Sequence, residues 1–214
     1  AAIRATLTDT SGAAYPGADI TFDTTAGTLY ADSALTTPVA APITTNSSGE
    51  AMVYLESDAS KAVATVSAAY AGFNASAQVR FIAGSPDTTN SGIYPEQSTI
   101  LADGLATTNV VVSLIDANDN LVEDGTPVTL QSTGGTISPA STTTSSGRAT
   151  FVITSSTTVG PVTLSLAEYP GITKAMSFGS GVAGSGEPAN IAVNVTNTAI
   201  SVGGVGQTDS TSID

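Results

Sequence analysis

The sequence predicts an all-β chain of tandem antiparallel β-sandwiches. Three observations carry that expectation: a long internal repeat, period-2 alternation of β-branched residues, and turn formers spaced at strand length. The segment Thr44-Thr45-Asn46-Ser47-Ser48-Gly49-Glu50-Ala51-Met52-Val53-Tyr54-Leu55 returns as Thr143-Thr144-Ser145-Ser146-Gly147-Arg148-Ala149-Thr150-Phe151-Val152-Ile153, with 98 positions between Gly49 and Gly147. A period near a hundred is too long for a solenoid unit and is the size of one small β domain.

The repeat extends well beyond that segment. Thr24-Thr25-Ala26-Gly27-Thr28-Leu29 matches Ser132-Thr133-Gly134-Gly135-Thr136-Ile137, and Ile20-Thr21-Phe22 matches Val128-Thr129-Leu130. Asp9 corresponds to Asp116 and Phe81 to Phe178. Gly27 and Gly49 lie 22 residues apart but Gly135 and Gly147 only 12, so the first copy carries ten extra residues, within Tyr30 to Ile43.

Strands are expected at Ile3–Leu7, Val53–Leu55, Val63–Ala68 and Ser76–Phe81 in copy one, and at Val110–Leu114, Val128–Leu130, Ala149–Ile153, Val162–Leu166 and Ala175–Phe178 in copy two. No run shows helical periodicity, so fewer than about one residue in ten should be helical. Inward positions give a core of Leu7, Ile20, Phe22, Val53, Leu55, Val66, Val79 and Phe81 in the first copy. The second copy offers Leu114, Val128, Leu130, Phe151, Ile153, Leu164, Met176 and Phe178. Gly49 and Gly147 each follow polar residues and open the most regular strand of their copy, which calls for a turn with positive φ.

Polar stretches rich in Gly and Pro mark the boundaries, at Ala83–Gly92 and at Gly179–Pro188. The expected units are residues 1–84, residues 85–182, and residues 183–214 as a glycine-rich linker with an opening strand. The two ends do not match. Copy two is preceded by Ile93–Gly104, a first strand for which copy one has no counterpart, while Ile200-Ser201-Val202-Gly203-Gly204 resembles Ile100-Leu101-Ala102-Asp103-Gly104. The segment Asn190, Ile191, Ala192, Val193, Asn194 and Val195 alternates like a strand and has the character to fill an open sheet edge. Either the chain is an excerpt of a longer array, or the segment enters a neighbouring subunit by strand addition.

The run Leu114-Ile115-Asp116-Ala117-Asn118-Asp119-Asn120, with Val128-Thr129-Leu130, Gly134-Gly135-Thr136-Ile137, Ser146-Gly147-Arg148-Ala149-Thr150 and Val162-Thr163-Leu164, resembles the bacterial immunoglobulin-like (Big-1 type) repeats of intimin and invasin adhesins. That resemblance implies tandem immunoglobulin-like sandwiches on the cell surface, in extracellular stalks that hold a binding module away from an outer-membrane anchor. It also implies neighbouring immunoglobulin-like domains, identical subunits or a host-cell receptor as partners.

Composition narrows the chemistry. A formal charge of −13 repels phosphate backbones and anionic lipid, which argues against nucleic acid and membrane surfaces, and no apolar run is long enough to insert. Without His or Cys the commonest general base and the thiol nucleophile are missing, so no enzyme is expected and no disulfide can form. No cofactor is expected other than calcium. Asp116, Asn118, Asp119, Asn120, Glu123 and Asp124 crowd oxygen ligands into nine residues, the donor set calcium takes, although not at EF-hand spacing. Asp and Asn also populate tight turns for backbone reasons alone, and that reading is preferred. Asn46, Asn74 and Asn194 head sequons, and Lys61 and Lys174 lie in alternating segments where an isopeptide bond to Asn would need a buried acid nearby.

The leading functional expectation is a structural segment of an extracellular surface protein, a stalk or filament unit. The competing one is a ligand- or receptor-binding module that uses the Tyr30–Ile43 loop.

Overall fold

The computed structural model describes residues 1–180, and none of them is helical. Their strands follow the alternation, because β-branched residues on a pleated ribbon send every second side chain to one face. The first domain contains β1 (Ala2–Thr6), β2 (Asp19–Thr24), β3 (Thr28–Tyr30), β4 (Ile43–Thr44), β5 (Glu50–Glu56), β6 (Ala62–Tyr70) and β7 (Phe73–Phe81). The second contains β8 (Gly92–Pro95), β9 (Thr99–Leu101), β10 (Thr107–Ser113), β11 (Pro127–Ser132), β12 (Thr136–Ser138), β13 (Ser141–Thr143), β14 (Arg148–Thr154), β15 (Gly160–Leu166) and β16 (Thr173–Gly179).

Each domain is a two-sheet sandwich. In the first, β1-β5-β3 faces β4-β2-β6-β7; in the second, β12-β14-β10-β8 faces β13-β11-β15-β16-β9. The seven strands of domain one map in order onto β10 to β16, so the repeat read in the sequence is a repeat of topology. Domain two adds β8 antiparallel to the outer side of β10, and β9 parallel to the outer side of β16. Among the described residues, β1 and β7 carry no such neighbour.

All eight core positions expected in copy two are buried, and Val110, Val112, Val162 and Leu166 join them. In copy one Ile20, Phe22, Val53, Leu55, Val66 and Phe81 are buried, joined by Leu29 and Ala64, but Leu7 and Val79 are only half-buried. The shortfall has a local cause. Leu7 follows β1 and Val79 lies in β7, the two strands whose outer sides no other described strand covers.

The turns repeat as well as the strands. Gly49 and Gly147 have φ of 72° and 69°, as the turn reading requires. A Cβ at Gly147 would sit 2.8 Å from Leu121 Cβ and 3.2 Å from the Leu114 carbonyl, while one at Gly49 would come within 2.9 Å of the Tyr15 nitrogen. Asp9 Oδ1 accepts from the Ser11 and Ala13 amides at 2.8 and 3.0 Å, and Asp116 Oδ1 accepts from the Asn118 and Asn120 amides, both at 2.9 Å. Both are Asx turns that close a β-bridge, Thr8 with Ala14 and Ile115 with Leu121.

Candidate functional site at the domain joint

The acidic segment that follows β10 lies where the two domains meet. Three of its side chains reach across. The Asn120 side-chain amide donates to the Ala59 carbonyl at 2.7 Å, and Asn120 Oδ1 accepts from the Lys61 amide at 3.2 Å, so one side chain splices onto the exposed end of β6 as a strand neighbour would. Lys61 Nζ donates to the Leu121 carbonyl at 3.0 Å and stands 2.6 Å from Glu123 Oε1. Arg80, near the end of β7, pairs with the other Glu123 oxygen.

Asp116 is the third. It is 4% exposed, and its Oδ2 accepts from the Gly84 amide at 2.8 Å while Oδ1 organises its own turn. Burial pushes the carboxyl pKa up, but the Gly84 and Asn120 amides, the Asn120 side chain and the Asn118 amide outweigh it and hold the group at about 2. The carboxylate stays charged because donors from both domains solvate it.

The Ala83–Gly92 stretch, read in the sequence as a linker, is fastened along its length. The Asp87 amide donates to the Ile115 carbonyl at 2.8 Å. Ser91 Oγ donates to that same carbonyl and accepts from the Ile115 amide, both at 2.9 Å. The Asn90 amide group donates to the Asp116 carbonyl at 3.0 Å. A Pro- and Gly-containing segment is therefore rigid here for a specific reason: its polar groups find the strand end that the Asp116 turn leaves exposed.

The six acidic-cluster residues have distinct roles. Asp116, Asn120 and Glu123 cross the joint, whereas the Asn118 amide only completes the turn and Asp119 supplies its left-handed step at φ 62°. Asp124 accepts from the Ser146 amide inside domain two. Among the described residues, no three acidic side chains converge in the way a cation site needs. Lys61 was singled out for cross-linking chemistry and serves instead as a clasp, and Lys174 is exposed on β16. Arg80 and Ala59 were not singled out. A usable signal was the scarcity of cations: Lys61 and Arg80 are two of only five.

The Tyr30–Ile43 loop folds on itself around Asp32, whose carboxylate accepts from the Ala34, Thr36 and Thr37 amides at 2.7 to 3.2 Å. No large exposed apolar side chain lies in it. Asn46 and Asn74 are exposed, Asn46 using Oδ1 to hold its own turn at Ser48 and Glu50. Asn194, and the strand-donor segment Asn190 to Val195, lie outside the described residues.

Two sandwiches with the same seven-strand order, joined through a fixed polar contact, define a tandem immunoglobulin-like protein. Residues 87–178 match the family model described as invasin, domain 3. The second domain is thus similar to an invasin domain, and the first repeats its topology.

Among solved structures, InvD of Yersinia pseudotuberculosis matches with a TM-score of 0.55 at 17% identity, over 92% of this chain and 58% of that one. The Escherichia coli adhesin FdeC gives a TM-score of 0.57 at 14% identity, over 85% of this chain and 59% of that one. The bacterial integrin-binding protein invasin matches at 22% identity with a TM-score of 0.45, over 84% of this chain and 35% of its own. The chain therefore spans about a third of the invasin structure and under three fifths of the other two. At these identities the likeness is one of fold. No curated protein matches the chain.

Proposed function

We propose that the chain is a non-enzymatic stalk segment of a bacterial surface adhesin, in which tandem domains hold a binding module at a set distance and angle from the cell. The clasp at the joint carries this reading. A pair of domains that only had to be tethered would need no side chain reaching between them, yet Asn120, Asp116 and Glu123 are all engaged by the preceding domain. In a chain of formal charge −13, placing two of five cations on one glutamate spends scarce positive charge on the angle between domains. The match of residues 87–178 to an invasin domain and the fold shared with the adhesin FdeC support an extracellular setting.

Small-angle X-ray scattering of the chain tests the proposal. A stalk gives one interdomain separation that holds across ordinary salt concentrations, whereas a distribution as broad as two beads on a flexible tether would reject it. In the alternative, the Tyr30–Ile43 loop contacts a ligand or receptor. Deleting Ala31 to Pro42 distinguishes the two, since a stalk keeps the adhesion of its parent protein and a binding module loses it.

A further inference from the structure

The chain enters and leaves domain two at opposite ends, which sets how tension passes through it. It arrives from the joint along Asp87–Ser91, fastened to Ile115 and Asp116, and continues as β8, where Gly92 pairs with Ser113 and Pro95 with Val110. It leaves at Gly179, at the far end of the sandwich, where Gly179 pairs with Leu101 and its carbonyl accepts from the Ala102 amide at 2.9 Å. The turn that precedes β16 stays beside the joint, since a Cβ at Gly171 would lie 3.1 Å from Thr88 Cγ2.

Between entry and exit, β9 and β16 run side by side in the same direction, with Ser177 opposite Thr99, Phe178 opposite Ile100 and Gly179 opposite Leu101. The other strand pairs described in this domain are antiparallel. Tension along the chain draws β9 toward the joint and β16 away from it. The bonds of a parallel ladder are evenly spaced, so strands drawn in opposite directions strain them together instead of one after another. The ladder is also backed on both faces. The Ser177 amide donates to the Ser98 carbonyl at 2.9 Å, and the hydroxyls of Thr99 and Ser177 share a hydrogen bond of 2.8 Å. Inward, Ile100 and Phe178 are core residues at 5% and 1% exposure, so sliding must drag one past the other through a close-packed interior.

We propose that the β9–β16 pair is a mechanical clamp, which keeps domain two folded under tension along the chain and gives way in a single step that releases the whole domain. The proposal rests on the stalk reading, under which tension runs from one domain to the next. The fastened segment Asp87–Ser91 serves the clamp, because it holds the entering chain along the end of β10 and so aligns the pull with the strands. A chain that entered or left on the other side of either strand would peel the same ladder bond by bond.

Forced unfolding reports the unfolding rate, so the direction of pull tests the clamp. The test uses the full chain, in which the absence of cysteine lets thiol handles attach only where they are placed. Handles at Ser85→Cys and Ser180→Cys, both exposed, load domain two from end to end. Handles at Ser85→Cys and Lys174→Cys, also exposed, load both strands from the joint end and peel them. At the same constant force in an optical trap, unfolding should be about tenfold or more slower from end to end, because further hydrogen bonds must break together. It should release about 30 nm in one step. Ala102→Pro deletes the bond to the Gly179 carbonyl and should raise the end-to-end rate about twofold to tenfold while leaving the peeling rate unchanged. Ile137→Ala, in the edge strand β12 away from the clamp, should lower the melting temperature but not the resistance to end-to-end pulling, because its core contacts are intact when the clamp parts.

Equal unfolding rates in the two directions would overturn the proposal, and that comparison needs no destabilised variant. So would an Ile137→Ala chain whose end-to-end rate rises as much as that of Ala102→Pro for the same loss of melting temperature. Equal rates together with a single interdomain separation in scattering refute the clamp alone, and slow end-to-end rupture with a flexible joint refutes the stalk alone.

Discussion

Replacing Asn120 with Ala isolates the joint from the domains it connects. The substitution deletes two hydrogen bonds between domains, the 2.7 Å bond to the Ala59 carbonyl and the 3.2 Å bond from the Lys61 amide. It leaves the Asp116 turn its backbone donors from Gly84, Asn118 and residue 120. Each deleted bond contributes about 0.5 to 1.5 kcal/mol net, so the clasped arrangement should lose about 1 to 3 kcal/mol. At about 1.4 kcal/mol per factor of ten, the ratio of clasped to unclasped molecules falls roughly 5-fold to 100-fold. The Glu123 ion pairs remain, but they are partly exposed and offset little of that loss. Double electron–electron resonance between labels at Ser76→Cys and Ser141→Cys, both exposed, reads the effect directly as a broadened distance distribution. Each domain should keep its melting temperature. A variant whose distribution superimposes on that of the parent would show that Asn120 does not fix the angle.

Gly49→Val and Gly147→Val should each destabilise their own domain by about 2 kcal/mol or more, because a β-branched residue is forced into the left-handed region against close neighbours. The corresponding melting transition should fall by about 10 °C while the other stays in place, and differential scanning calorimetry separates the two. The Asp116 carboxyl is held at about 2, below its ordinary value of 3.8, so the stability it lends is complete above that ordinary value and drains away as pH falls through about 2. Interdomain distances should therefore hold at pH 5 and broaden between about pH 4 and pH 2; broadening confined to pH 5 to 7 would contradict the assignment. Folding should not require metal, and any calcium effect should be confined to Asp116 through Asp124. Melts with EDTA and with added calcium check this, and an EDTA-induced loss of the first domain would reverse the preference for the turn reading.

The strands were legible in the sequence because both copies keep strict alternation over the residues that face the core. Short edge elements were less so. Thr28–Tyr30, Ile43–Thr44 and Ser141–Thr143 are two or three residues long, too short for any period to show, and they exist because β5, β2 and β11 offer them a ladder. Leu7 and Val79 were assigned to the core by pattern and are only half-buried. Periodicity reports which face a residue takes, not whether a neighbour covers it. The acidic segment was recognised as unusual, but its partners were not, because Ala59, Lys61 and Arg80 lie 43 to 62 positions upstream of the residues they meet and carry no pattern that refers to them. The Asx turn could be read locally; a contact between domains could not.

The clasp is a property of this joint and not of the fold. Ala62 pairs with Phe81, and Gly160 with Phe178, so the repeat places Lys61 opposite Val159 and Arg80 opposite Ser177. Both cations of the clasp are therefore replaced by uncharged residues in the second domain, although the strands follow in the same order. The Glu123 side of the contact is equally local, because the matching turn of domain one, at Tyr15-Pro16-Gly17, offers no carboxylate. The sandwich supplies a rigid end with a turn and a hairpin near the chain axis, and three substitutions on that constant frame decide whether the next domain is gripped or only tethered. An array of such repeats can then set stiffness joint by joint while leaving every core unchanged. In domain two, Val159 at 56% exposure and Leu105 at 80% occupy the end where Lys61 and Ala59 stand in domain one. That end therefore presents exposed apolar side chains where the matching end of domain one presents a cation that is paired across the joint.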